Sequence, residues 1–287
     1  MESDIIDLHT HSTISDGTLT PTQLVILASQ KKIKAIALTD HDSVSGIEEA
    51  LIASKEYSVE VVSGVELSVQ YDYELHILGL LIDHNDENLK SILGYLQENR
   101  FNRNIRIIEQ LKKFNINIEL SELPSQDEHS VTRAHFARLL VEKGYCENTA
   151  AAYNKYLGFG APCYVPRERL SVSEAIKLIH LSGGMAFLAH LNQIDIDEKQ
   201  LINLISDLKE MGLDGIEGLY YEYDKEWTER CAQIADIFDL AICGGSDFHG
   251  SNKKNELGVG SQDRNVPYSV LKKLKKRVEP IDIEDIV

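Results

Sequence analysis

DLHTHSTISDGTLTP, residues 7–21, packs a strand end, a pair of imidazoles and a helix start into one short run. The apolar run at 4–8 leads into His9-Thr10-His11. Side chains alternate along an extended chain, so the two imidazoles fall on one side. Asp16-Gly17 follows. Thr20-Pro21-Thr22-Gln23 then opens a helix, with Thr20 as N-cap, Pro21 in the first position and Gln23 closing a capping box.

The same unit recurs along the chain. The run at 33–39 ends in Asp40-His41-Asp42, and that at 59–65 ends in Glu66. The run at 185–189 ends in His190, and 240–243 passes through two glycines and Ser246 to Asp247. Residues 75–82 and 215–220 read as two further strands. Ser45-Gly46-Ile47-Glu48 and Ser171-Val172-Ser173-Glu174 repeat the helix-start signal, and the second helix should stop at Gly183-Gly184. Strand and helix thus alternate over 1–85 and again over 171–260, which predicts a parallel sheet, open or closed into a barrel. Residues 86 to about 169 carry no clear strand run. Leu89, Ile92, Leu93 and Leu96 share one helix face. Ile105, Ile108 and Leu111 resume it after a phase slip. Phe136, Leu139 and Leu140 mark another helix, ended by Gly144. This middle portion reads as a helical insert between two strands of the larger domain.

Composition narrows the possibilities. The 287 residues are 43% hydrophobic, enough for a sizeable core, and no stretch approaches the length of a membrane span. The N-terminus lacks a secretory signal, so the mature chain is expected to begin close to Met1. Cys146, Cys163, Cys231 and Cys243 show no CxxC spacing and are expected as reduced thiols of a cytoplasmic protein. A formal charge of −17 opposes binding of long nucleic acid but not of a small phosphorylated substrate, because bound cations would reverse the local field.

Of the ten histidines, His9, His11, His41, His76, His190 and His249 stand at or near predicted strand ends, as do Asp16, Glu66 and Asp247. In a barrel, C-terminal strand ends converge on one mouth. Imidazoles and carboxylates meeting there would be costly without cations, and with them form nitrogen and oxygen ligand sets suited to manganese, iron or zinc.

DLHTHSTISDGTLTP, IALTDHDSVSG, VVSGVELS, ELHILGL, AFLAH and GGSDFHG, in this order, resemble the PHP (polymerase and histidinol phosphatase) superfamily. TRAHFARLLVEKGY and YLGFGAPCYVP resemble its stand-alone nucleotide phosphatases with a helical insert. The resemblance implies a distorted seven-stranded (β/α) TIM-like barrel: residues 1–98 and 170–287 form the barrel, and 99–169 a helical cap subdomain. It also implies three divalent ions, manganese foremost, with iron or zinc as alternatives. His9, His11, Glu66 and Asp247 would hold one. Glu66 would bridge to a second, held also by His76 and His190. Asp16, His41 and His249 would hold the third. Leu191 and Ala134 depart from the pattern, since relatives usually have proline at both positions.

The implied activity is hydrolysis of phosphate monoesters of small nucleotides, a nucleoside 3′,5′-bisphosphate or 5′-mononucleotide, or trimming of short RNA from the 5′ end. The expected attack is by a metal-bridged hydroxide, with Glu66, Asp247, His190 and His249 around the reacting atoms. Histidinol phosphate as substrate, a metal amidohydrolase and a non-catalytic metal-binding module are the competing readings. No protein partner and no membrane are implied. For the substrate, Arg133 near a helix start capped by Ser130 or Thr132 contacts a phosphate or forms a surface salt bridge; the resemblance implies that Arg133 and His135 face the site, with a structural role the alternative for His135. Arg100 and Arg103 reach a second phosphate or, with Arg106, form a solvated stripe. Tyr164 packs on a base or ribose, or in a core. Asp40 and Asp42 orient His41 or cap the next helix. Tyr220, Tyr221, Tyr223 and Trp227 are expected as lid or core residues. His84, His129 and His180 are expected as surface or core histidines.

Overall fold

The computed structural model describes residues 4–123, 131–262 and 264–278. Ser130 and His129 lie outside the described residues. The strands are β1 (Ile5–Thr10), β2 (Ala35–Leu38), β3 (Glu60–Gln70), β4 (Leu75–Leu80), β5 (Leu170–Ser171), β6 (Met185–Leu188), β7 (Gly215–Tyr220), β8 (Ala241–Gly245) and β9 (Val266–Pro267). All seven runs read from sequence form strands. The two-residue β5 and β9 are too short to leave a periodic signal.

Across the sheet the order is β8-β7-β6-β4-β3-β2-β1-β9, with β5 on β3. A parallel bridge from Thr10 to Phe248 brings the chain beyond β8 onto β1, so the sheet nearly closes. Gly245 permits that approach, because a Cβ there would sit 2.5 Å from the His9 backbone nitrogen.

The sheet is mixed, not parallel as expected. β4 runs antiparallel to both β3 and β6. Only residues 71–74 join β3 to β4. So short a link makes a hairpin, whereas a parallel return needs a dozen residues or more. The reversal serves the site. His76, near the start of β4, pairs with Ser68 near the end of β3 and so lies at the same end of the barrel as the C-termini of its neighbours.

α1 (Pro21–Gln30) and α6 (Val172–Leu181) start with the capping boxes expected at Thr20 and Ser171. α2 (Ile47–Tyr57) does not. Its N-cap is Gly46, without a side-chain bond, and Ser45 lies one residue too early to cap it. The Ser45 hydroxyl turns instead to Ser43, 3.1 Å away. α7 (Glu198–Glu210), α8 (Lys225–Phe238) and α9 (Tyr268–Val278) complete the barrel's helices.

α3 (Glu87–Lys112), one unbroken helix of 26 residues, leads from the barrel into the insert. The phase slip needs no break, because the helix changes partners along its length. Leu89, Leu93 and Leu96 join the barrel's core, while Ile107, Ile108 and Leu111 join a second core with Phe136 and Leu140. Those two residues belong to α4 (Arg133–Glu142), which α5 (Thr149–Ala152) follows. Among the described residues no helix is long and apolar enough to cross a membrane.

Candidate metal centre

Glu66 stands at the middle of the barrel mouth, 1% exposed. Its Oε1 lies 2.8 Å from His76 Nδ1 and 3.0 Å from His190 Nε2. Its Oε2 lies 2.9 Å from His41 Nδ1, 3.2 Å from His11 Nε2 and 3.5 Å from His9 Nε2. One carboxylate thus offers its two oxygens to two sets of imidazoles. Asp247 Oδ1 approaches His9 Nε2 at 3.5 Å and His11 Nε2 at 3.3 Å. Asp16 Oδ1 lies 3.1 Å from His249 Nε2 and 3.9 Å from His41 Nε2. All nine residues singled out as ligands therefore meet in one place. Their grouping departs slightly from the expected sets. His41 lies with Glu66 and His76 as well as with Asp16 and His249, and His11 joins both the Asp16 and the Asp247 groups.

The donors fit a cation. His9 Nε2, His11 Nε2, His41 Nδ1, Asp16 Oδ1 and Glu66 Oε2 are buried and make no hydrogen bond. An unmet buried polar atom costs about 1–3 kcal/mol, so five in one pocket call for ions that accept their lone pairs. Electrostatics point the same way. Burial opposes charge on Glu66, yet His41, His76 and His9 outweigh it and hold its carboxyl well below the usual range. Burial likewise opposes charging of His11 and His76, but neighbouring carboxylates push both up to about 9. Each sign of charge is tolerable only because the other is present.

Several partners fix the imidazoles. Glu217, fully buried in β7, bonds His9 Nδ1 at 2.9 Å and accepts the His190 backbone N–H at 2.7 Å. His249 Nδ1 donates to the Asp247 carbonyl at 2.7 Å, which turns Nε2 to Asp16. His190 and Asp247 hold left-handed backbone, with φ of 31° and 53°, a setting uncommon for non-glycine residues.

Asp40 and Asp42 neither cap α2 nor orient His41. Asp40 accepts from the Ser12 backbone and hydroxyl and from the Ser15 hydroxyl, bracing the loop after His11. Asp42 pairs with Arg100 and, at 3.4 Å, with Arg167. Burial opposes its ionisation, but Arg100 and Arg167 prevail and hold it low.

Beside the centre lies a pocket of about 130 Å³ whose walls include Asp16, His41 and His76 together with Arg100, Arg103, Arg133, Arg167 and Arg169. The solvated stripe is thus corrected for two of its three members. Arg100 and Arg103 are 2% and 5% exposed, and Arg106 alone faces water. Arg103 donates Nε–H to the Val165 carbonyl at 2.9 Å. Burial and the surrounding guanidiniums lower the proton affinity of Arg103 and Arg167. A guanidinium keeps its proton in proteins, so this crowding is better relieved by an anion than by deprotonation.

Thr132 caps α4, which places Arg133 in its first position. Arg133 lies 3.8 Å from Glu74 and above the rings of Tyr153 and Tyr164 at 5.8 and 5.7 Å. His135 is buried, and its Nδ1 accepts the Thr132 backbone N–H at 3.0 Å. Tyr164 is half-buried beneath Arg133. Tyr220 and Tyr223 are fully buried. His84 contacts Ser63 and Glu48, and His180 pairs with Asp214.

Sequence reasoning missed Glu217, Arg167, Arg169, Glu74 and Lys253. Only Glu217 carried a signal, as a carboxylate inside an apolar strand run, where an unpaired charge would be costly.

A PHP domain profile matches residues 7–248. The chain is 38% identical to a 5′-3′ exoribonuclease of Haemophilus influenzae, over 88% of this chain and 92% of the relative. It is 32% identical to a 3′,5′-nucleoside bisphosphate phosphatase of Chromobacterium violaceum, over 85% of this chain and 87% of the relative. Among solved structures, a Chromobacterium violaceum protein described as an amidohydrolase with bound sulfate and no metal superposes with a TM-score of 0.84 and 30% identity, covering 98% of this chain and 99% of that one.

Proposed function

Because the chain belongs to the PHP domain family, we propose that it is a metal-dependent phosphoesterase that hydrolyses phosphate monoesters of small nucleotides. One observation carries the reading: a cage of imidazoles and carboxylates shares a wall with a pocket of five arginines. The first suits cations and the second suits an anion. A nucleoside 3′,5′-bisphosphate would present a phosphate to each, and so would the 5′ end of short RNA. The small pocket and the charge of −17 favour such ligands over long nucleic acid.

In this reading His9, His11, Glu66 and Asp247 hold one divalent ion, Glu66, His76 and His190 a second, and Asp16, His41 and His249 a third, with manganese the expected metal. When bound, such ions acidify water and neutralise phosphoryl charge. The chain's own residues do the remaining work. Glu66 ties the imidazole sets together, and Glu217 fixes the face of His9. Arg133, Arg103 and Arg100, with Arg167 and Arg169, hold the ester by its second anionic group, which aligns the first. Tyr164 backs Arg133. His190 and His249 serve as ligands and not as separate acids. Four unpaired cysteines support a cytoplasmic location.

The test is a phosphate-release screen on manganese-loaded protein of measured metal content. Its substrates are p-nitrophenyl phosphate, adenosine 5′-monophosphate, adenosine 3′,5′-bisphosphate, a 5′-phosphorylated RNA tetramer and a cyclic amide. We expect the bisphosphate or the RNA to give the highest kcat/KM. No phosphate from any ester at full metal loading, or turnover of the amide alone, would defeat the proposal.

A further inference from the structure

Asp247 divides its carboxylate between two environments. Oδ1 faces the imidazoles: 3.5 Å from His9 Nε2, 3.3 Å from His11 Nε2 and 3.4 Å from His249 Nδ1. Oδ2 points away from them. It accepts from the buried Tyr220 hydroxyl at 3.0 Å and from the Lys253 ammonium.

The loop that brings Lys253 there is tied down on both sides. The Ser251 backbone N–H donates to Thr18 Oγ1 at 3.0 Å, and the Asn252 side chain donates to the Asp16 carbonyl at 2.7 Å. Asn255 reaches the carbonyl of Ser246, immediately before Asp247. The loop therefore spans from the Asp16 side of the centre to the Asp247 side. Asp247 itself sits at φ 53°, a backbone setting that needs outside support.

A carboxylate with both oxygens free can take a cation through one oxygen or through both. Occupying one oxygen removes the second mode and leaves a coordination position open for water or substrate. We propose that Lys253 is a positioning residue of the metal centre: with Tyr220 it captures Oδ2 of Asp247 and so presents Oδ1 alone to the cation shared with His9 and His11. The inference rests on the metal-centre assignment proposed above and not on the choice of ester. Partners of this kind, one step out from a ligand, typically set metal affinity by about 10- to 100-fold.

The test uses the metal alone. Manganese(II) is titrated into EDTA-stripped full-length protein, and free ion is followed by electron paramagnetic resonance. Lys253→Met frees Oδ2 and removes a positive charge beside the ion, so it should tighten one class of sites by about 10- to 100-fold and leave the others unchanged, and a weakening there would overturn the proposal. Lys253→Arg keeps a cation on Oδ2 and should stay near the wild-type affinity. Tyr220→Phe, which removes one neutral donor, should produce a smaller tightening at the same class.

Wild-type manganese affinity in Lys253→Met overturns the proposal. So does unchanged affinity with a raised KM for a phosphate ester, because the amine would then be a substrate contact. If Lys253→Met fails to fold, Tyr220→Phe carries the test, and unchanged affinity there overturns it. Failure of the wild type to bind manganese at all would end the metal-centre reading itself, which keeps the two failures apart.

Discussion

The barrel mouth and the arginine pocket touch, yet they are built on opposite terms. At the mouth, six imidazoles and three carboxylates gather from β1, from within β3, from the start of β4 and from turns that follow strands, and they leave orphaned lone pairs for cations. In the pocket, guanidiniums come from α3, the start of α4 and the segment at 167–169, and they crowd like charges for an anion. In the proposed function the mouth supplies chemistry to any ester that reaches it and the pocket chooses among esters, so substitutions should separate generic reactivity from selectivity.

The sharpest attempt to break that division is Glu66→Gln. It removes charge that two sets of imidazoles share, so phosphate release should fall by about 10³-fold or more on every ester alike, with the circular dichroism of the fold retained. A fall confined to nucleotides would merge the two regions. Arg133→Ala should do the reverse. KM for adenosine 3′,5′-bisphosphate should rise about 10- to 100-fold, the scale of a lost hydrogen bond to a charged group, while p-nitrophenyl phosphate turnover stays near wild type. Equal losses on both substrates would place Arg133 at the reacting phosphate.

The smallest effect is on stability and belongs to the insert. Burial, then Arg138, pushes His135 down to about 4, and its Nδ1 can accept from Thr132 only when unprotonated. Its folded pKa lies below the unfolded value, so its contribution is fully present above about pH 6.5 and is lost as pH falls through about 4. Hydrogen exchange should show α4 losing protection by about an order of magnitude or more over that window in EDTA-stripped protein, where no ion is released as the pH falls. His135→Gln retains a capping acceptor and should flatten the profile.

The two regions also differ in how much their residues betray them. His9, His11, His41 and Glu66 could be read because an imidazole or a carboxylate closing an apolar run breaks its pattern, although β3 itself continues past Glu66 to Gln70. The hairpin at 71–74 is hidden in the sequence, because the apolar run at 59–65 stops well before 75–82; only the extension of β3 to Gln70 makes the link short, and with it the reason His76 reaches Glu66. Arg100, Arg103 and Arg106 share one spacing, yet the first two are buried and the third is not. What separates them is Asp42 and the Val165 carbonyl, 58 and 62 positions away along the chain, which no local pattern encodes. Lys253 escaped for the same reason: its meaning depends on a tied loop and not on a period.

α3 runs unbroken from the barrel's core into the insert's core, and its middle is bolted to the His41 loop by Gln97 on the Asp42 carbonyl at 2.9 Å and by Arg100 on the Asp42 side chain. A stiff rod fastened at that point acts as a gauge. The position of Arg100 and Arg103 relative to the His41 loop is set by that attachment, so in the proposed function the favoured substrates are those whose two charged ends match the distance it fixes.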